Sequence, residues 1–300
     1  MGSGSWAGTA VALGLAVALT ACQGPAEPVT TSTPAPPLTF RFETSTPPAS
    51  TPPPSSAPPG GEQRPAPPPP MWTVGARPLP KRPDGFGQVL PTPPELAQRR
   101  LPSADRLPPP KDGRFASVVV PVPAEVLARS TWQPDCPVGK DELRYLTVSF
   151  WGFDDRPHTG ELILAAGVAE KVRAVFERLY AARFPIEEMR VTAKAELDAP
   201  PTGDGNNTNG FVCRPARGQT RWSAHAKGLA VDLNPFANPY LRGDLVLPEL
   251  ASAYVDRRQR KPGMIHAGDA VVQAFGAIGW TWGGTWRTPK DYMHFSATGD

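Results

Sequence analysis

Proline limits this chain more than any other feature, because each one fixes φ and removes a backbone donor from helix or sheet. Of the 41 prolines, 27 fall in residues 1–110 and 14 in all that follows. From Gln23 to about Lys111 the chain is Pro, Ser, Thr, Ala and Gly with few aromatic side chains, as in "TSTPPASTPPPSSAPPGGEQRPAPPPP". Such a run cannot bury enough apolar surface to offset its ordering entropy. The sequence therefore predicts a disordered or polyproline II stalk over residues 23–112 and a folded domain over 113–300. At ~3.1 Å per residue a fully extended stalk would reach up to ~250 Å. Inside the stalk, "MWTVGARPLP" and "PPELAQRRLP" have enough apolar content to dock on the domain, although no definite structure is read for them.

The N-terminus has its own signature. Ala7 to Ala21 is an apolar run of small residues too short to span a bilayer, which fits the h-region of a secretory signal. It ends in "LTAC", which resembles the lipobox of bacterial lipoproteins, whose cysteine carries the lipid. The departure is that no Lys or Arg precedes the run. The expectation is a lipoprotein-type signal peptide over residues 1–22, lipidation at Cys22, and a protein anchored on the outer face of the cytoplasmic membrane.

The folded part is close to neutral, with 22 Lys/Arg against 21 Asp/Glu from Arg114 onward. That balance excludes the broad basic surface of a nucleic-acid binder, and a monomer is expected. "RFASVVVPVP", "LRYLTVSFW" and "EMRVTAK" read as strands from their β-branched and aromatic content. "GELILAAGVAEKVRAVFERLYAARFP" puts Leu164, Val168, Val172, Val175, Phe176, Leu179 and Tyr180 on one helical face and ends at Pro185. A second helix is expected in "HAGDAVVQAFGAIG", with Ala267, Ala270, Val271, Ala274, Phe275 and Ile278 as its stripe and Gly279 at its end. Mixed strands and helices indicate an α+β domain.

Two short stretches carry the chemistry. In "RWSAHAKGLAVDLNP", Leu229, Val231 and Leu233 alternate with Ala230, Asp232 and Asn234, so a strand here turns Asp232 away from its apolar face. In "DYMHFSATGD", Met293 and Phe295 point one way and Tyr292, His294 and Ser296 the other. His225 enters on the turn before the first strand, and Gly228 leaves room for close passage there. His, Asp and His with an open fourth position suit a catalytic zinc. Asp291, three residues before His294, supplies the carboxylate that a general base requires. Against this stands the plain alternative that both histidines are ordinary polar-face residues.

Together, "S-A-H-A-K-G-L-A-V-D-L-N-P" and "GWTWGGTWRTPKDYMHF" resemble the zinc peptidases of bacterial cell walls. These include D-alanyl-D-alanine carboxypeptidases, vancomycin-resistance D,D-dipeptidases and phage L-alanyl-D-glutamate endolysins. The resemblance extends over "FDDRPHTGELIL", "FPIEEM" and "NNTNGFVCR". It implies a small antiparallel sheet flanked by helices with the zinc site on the sheet, in the D-Ala-D-Ala metallopeptidase or hedgehog-like manner. It also implies zinc ligands His225, Asp232 and His294, Asp291 as general base, and Arg214 facing an oxyanion or a substrate carboxylate. Ser223 is a candidate for substrate contact or for shaping the turn. One departure is Ser296, where other members carry Glu after His-Phe. The implied substrate is a peptidoglycan stem peptide, cut in carboxypeptidase or endopeptidase fashion; the alternative is a non-catalytic peptidoglycan-binding domain with the same fold.

Of the Gly-rich tryptophans, Trp282 and Trp286 are candidates to wall a cleft, while Trp280 reads as core. His158, among acidic neighbours, reads as a hydrogen-bonded structural residue, and His266 as an exposed one at a helix start. Export makes oxidation permissible, so the two cysteines left after lipidation, Cys136 and Cys213, predict a disulfide. The rival is Cys213 as a fourth ligand that closes the zinc site.

Overall fold

The longest apolar run with strand character, Leu143–Trp151 (β2), is flanked on both sides by partners that complete a sheet. The computed structural model describes residues 71–216 and 219–300, and in it β2 lies between Ser117–Pro121 (β1) and Pro157–Ala165 (β3), antiparallel to both. The β2–β3 hairpin pairs over its full length, from Leu143↔Ala165 to Trp151↔Pro157. This corrects the expected extent of the long helix: Glu161 to Leu164 belong to β3, and the helix (α3) is Ala166–Ala181. The reason is that Leu162, Ile163 and Leu164 are apolar at consecutive positions and are buried on both faces of the sheet, whereas a 3.6-residue period starts only at Ala169. Across α3, Ala169, Val172, Val175, Phe176 and Leu179 are buried, and they pack with Leu146, Val148 and Phe150 of β2.

The helix expected after His266 is Ala270–Gly276 (α4), capped by Asp269, whose side chain accepts from the Val271 and Val272 amides. Pro94–Ala97 (α1) and Ala124–Arg129 (α2) are short. Three further groups of strands complete the α+β architecture. Ala230–Asp232 (β6), His294–Ser296 (β11) and Thr281–Trp282 (β9) form an antiparallel sheet in the order β6-β11-β9. Tyr240–Arg242 (β7), Leu245–Leu247 (β8) and Lys290–Asp291 (β10) form a second, in the order β10-β7-β8. Glu188–Met189 (β4) and Asn207–Thr208 (β5) are a short parallel pair. The architecture is thus several small sheets and not the single sheet expected. The strand anticipated in "EMRVTAK" stops at Met189, because the Arg190 amide turns to the Asn207 side chain and its guanidinium to Glu188 and Glu196.

Packed structure begins well before residue 113, which corrects the stalk boundary. Trp72 is buried and donates its indole N–H to Asp204 at 2.8 Å, Leu96 is fully buried, and Thr92 donates to the Leu250 carbonyl. Arg99 forms a bidentate pair with Glu187 at 2.6 Å for both contacts, with both side chains buried. Proline does not prevent this, because the chain lies across the body as an extended strap. Its side chains hold it there together with backbone amides such as those of Leu79 and Leu90, which donate to the Pro201 and Glu249 carbonyls. The expected signal peptide, Cys22 and the stalk as far as residue 70 lie outside the described residues. Among the described residues no helix is long and apolar enough to cross a membrane.

Candidate metal centre and cleft

The register of two strands brings the first pair of site residues together. His294 lies directly opposite Asp232 in the β11–β6 ladder, so both side chains leave the same face. His225 arrives from a 3-10 turn, His225–Lys227, that ends at Gly228 with φ of +66°. A Cβ on Gly228 would come within 2.5 Å of the Ala165 amide nitrogen, so only glycine lets this turn press against the end of β3. The Ser223 hydroxyl donates to the Arg214 carbonyl at 2.9 Å and accepts from the Ala226 amide. Of the two roles open to Ser223, shaping the turn under His225 is the one its contacts describe.

Three acceptor atoms converge at the centre. His225 Nε2, His294 Nδ1 and Asp232 Oδ1 are separated by 3.2, 3.0 and 3.2 Å. Each ring is oriented from behind: His225 Nδ1 lies 2.6 Å from the Gly210 carbonyl and His294 Nε2 2.9 Å from the Asp300 backbone oxygen. A carbonyl can only accept, so those nitrogens carry the protons and the inward nitrogens present lone pairs. A cation is the natural occupant. Ligand bonds of about 2.0–2.1 Å in a tetrahedron leave about 3.3 Å between ligand atoms, close to the observed triangle. The side chains are 4%, 8% and 13% exposed for His225, His294 and Asp232, which keeps such an ion largely away from bulk water. The donor set therefore fits zinc.

Electrostatics report the same demand. Burial alone would lower the His294 pKa, but the hydrogen bond and charge of Asp232, with Asp291 adding, outweigh it and raise the pKa to about 9. Burial also opposes ionisation of Asp232, yet His225 and His294 together hold its carboxyl well below the ordinary value. Without a metal, the centre gathers a proton in its place.

Asp291 sits beside this triad on β10, opposite Tyr240 of β7. A Cβ on Gly283 would meet the Asp291 carbonyl oxygen at 2.6 Å, so β10 runs in close contact with the Gly283–Thr285 turn. Above the triad opens a cleft of about 390 Å³, whose walls include Arg214, Arg221, Tyr240, Trp286 and Asp291. That volume lies within the usual range for a small-molecule or peptide-end site. The Trp286 ring stands 5.5 Å from the His294 ring.

Part of the chain is similar to a known family. Residues 217–297 match the family described as D-alanyl-D-alanine carboxypeptidase. Over that segment the chain is similar to this carboxypeptidase family. The matched segment holds His225, Asp232, Asp291 and His294. No curated protein and no solved structure matches the chain.

Around the cleft the remaining candidates separate clearly. Arg214 and Trp286 line the cleft. Trp282 does not: it is buried against Phe295 and Tyr292 and donates its indole N–H to the Tyr292 carbonyl at 2.8 Å, so it is core, as is Trp280. Cys213 is bonded to Cys136, which removes it as a fourth ligand and leaves that position open. His158 is buried between Asp105 and Asp154, as expected of a structural residue. His266 corrects the expectation of exposure: it is half-buried and precedes the helix, with its pKa lowered by burial and by Arg257 and Arg260. Sequence reasoning missed Tyr240, Arg221 and Asp300. Tyr240 follows Asn-Pro and precedes an Arg-Gly-Asp turn, a hairpin signal that places it on a strand but not opposite Asp291.

Proposed function

We propose that the domain is a zinc peptidase that hydrolyses peptide bonds in peptidoglycan stem peptides. The observation that carries this reading is the convergence of His225, His294 and Asp232 beside Asp291 at the floor of one cleft. A zinc ion held by the three residues would supply Lewis-acid polarisation of a carbonyl and lower the pKa of water. Asp291 accepts one proton from the attacking water as its oxygen bonds to the carbonyl carbon. It returns that proton to the amine nitrogen as the C–N bond breaks, and the second water proton passes from the new carboxyl group to the amine, leaving a carboxylate and an ammonium. Arg214 presents a guanidinium to the cleft, suited to a developing oxyanion or to the terminal carboxylate of a peptide. Trp286 and Tyr240 give an aromatic wall against which a short peptide lies. A domain that only binds the wall has no use for a carboxylate at Asp291, which favours the enzyme over the binding module.

The cellular setting belongs to the same proposal. The "LTAC" signature and the proline-rich residues 23–70 support a lipid anchor at Cys22 and a tether that lets a monomeric domain reach stem peptides outside the cytoplasmic membrane. Incubating the zinc-loaded protein with purified stem peptides and following the products by mass spectrometry tests the activity. Release of D-alanine or scission within the stem is the expected result, and intact peptides at full zinc occupancy would refute it.

A further inference from the structure

The ring of His225 is steadied from behind by a carbonyl of the folded body, but that of His294 is steadied by a residue of a surface segment. Beyond β11 the chain runs along the rim of the cleft. The Ala297 amide donates to the Leu229 carbonyl, continuing the β6 pairing, and the Gly299 amide donates to the buried Ser296 hydroxyl at 3.0 Å. The segment then returns toward the site. The Asp300 backbone oxygen lies 2.9 Å from His294 Nε2, while its carboxylate pairs with Arg221 and accepts from Thr298 Oγ1.

From this geometry we infer that Ser296–Asp300, clamped by Arg221, is a positioning element for the metal centre. It fixes the tautomer and orientation of His294 so that Nδ1 faces Asp232 and His225. The inference rests on the reading of the triad as a metal site. Ring nitrogens of metal-bound histidines ordinarily donate to a carbonyl or carboxylate behind them, and loss of that partner costs about 10–100-fold in metal affinity. Here the partner is exposed, so water competes for the His294 N–H, and the effect belongs at the lower end of that range. The clamp matters for the same reason. Arg221 and Asp300 are 53% and 41% exposed, and such a pair is weak as a source of stability. What it does is hold one carbonyl in place. Arg221 precedes the Ser223 turn that carries His225, so a single ion pair links the supports of two ligands.

The test measures zinc affinity by chelator competition for the full chain, for R221A, for D300A, for R221K and for a chain ending at Ala297. The His294 ring nitrogens are followed by NMR in the zinc-free proteins. R221A and D300A should weaken zinc binding about tenfold, the shortened chain should weaken it at least as much, and R221K should recover part of the loss. The His294 Nε2 proton, slow to exchange in the parent, should exchange faster in each weakened variant, with melting temperatures close to the parent's. Parent-like zinc affinity and exchange in the shortened chain would overturn the inference while leaving the metallopeptidase reading intact. A parent that binds no zinc would overturn both.

Discussion

Removing Arg99 asks whether the strap is part of the domain or merely lies on it. Its guanidinium holds both Glu187 oxygens at 2.6 Å, stands 4.4 Å over the Phe236 ring and is 2% exposed, with Glu187 at 8%. In Arg99→Met the volume is largely kept, but among the described residues Glu187 retains only the Asn206 amide as a side-chain donor to its carboxylate, at 2.9 Å. Breaking a buried pair from one side costs about 3–5 kcal/mol, mostly because the surviving charge stays buried. For a body of this size each kcal/mol moves the melting temperature about 2–4 °C, so a fall of roughly 10 °C is expected. Urea and thermal unfolding followed by circular dichroism measure it. The double variant Arg99→Met/Glu187→Leu should regain most of the loss, since it removes the orphaned charge as well. A chain beginning at Arg114 lacks Trp72, Leu96 and Arg99 together and should unfold at lower temperature still. A single variant within about 1 kcal/mol of the parent would show that the strap contributes little and would refute the reasoning.

Three further outcomes can be checked. Asp291→Asn should keep stoichiometric zinc yet lose about 10²–10⁴-fold in peptide cleavage, measured on one preparation; unchanged cleavage would remove Asp291 from the mechanism. Zinc-free protein should lose stability with rising pH: the folded His294 pKa of about 9 exceeds its ordinary 6.5, so the stabilisation is fully present below pH 6.5 and is lost as pH rises through about 9. Melts at pH 6 and 9.5 would show the fall, and added zinc should remove the dependence by replacing the proton. The Cys136–Cys213 bond closes a loop across a separation of 77 residues and should contribute roughly 4 kcal/mol in the chain-entropy model. Reduction under non-denaturing conditions should lower the melting temperature accordingly, and two free thiols in the unreduced, unfolded protein would refute the bond.

Legibility in the sequence followed the range over which each signal acts. The β1 and β2 strands and the α3 and α4 stripes were readable because period and composition are local. β3 was lost inside an apparent helix because an apolar triplet, Leu162 to Leu164, satisfies either period, and only pairing with β2 decides it. The stalk boundary failed for a different reason. Composition measures whether a segment can build its own core, and residues 71–112 cannot. Their apolar residues are few, yet Trp72 and Leu96 enter a cluster built by Phe236, Leu250 and Tyr254. A proline-rich strap therefore looks like a linker to any measure that considers the segment by itself.

The triad divides the same way. Alternation alone turned Asp232 and His294 to the polar side of their strands, but that they stand directly across from one another is a property of the β6–β11 register, which no local pattern encodes. The resemblance of the motif to those of cell-wall zinc peptidases supplies what alternation cannot, because it points to His225, Asp232 and His294 as one set. Where that source stops, so does the reading. Tyr240, Arg221 and Asp300 reach the cleft through a hairpin, a loop and a terminal segment, and no residue pattern marks them. The His294 ring thus depends on both kinds of information at once: one nitrogen faces partners that the motif specifies, and the other faces Asp300, which only the folded chain brings there.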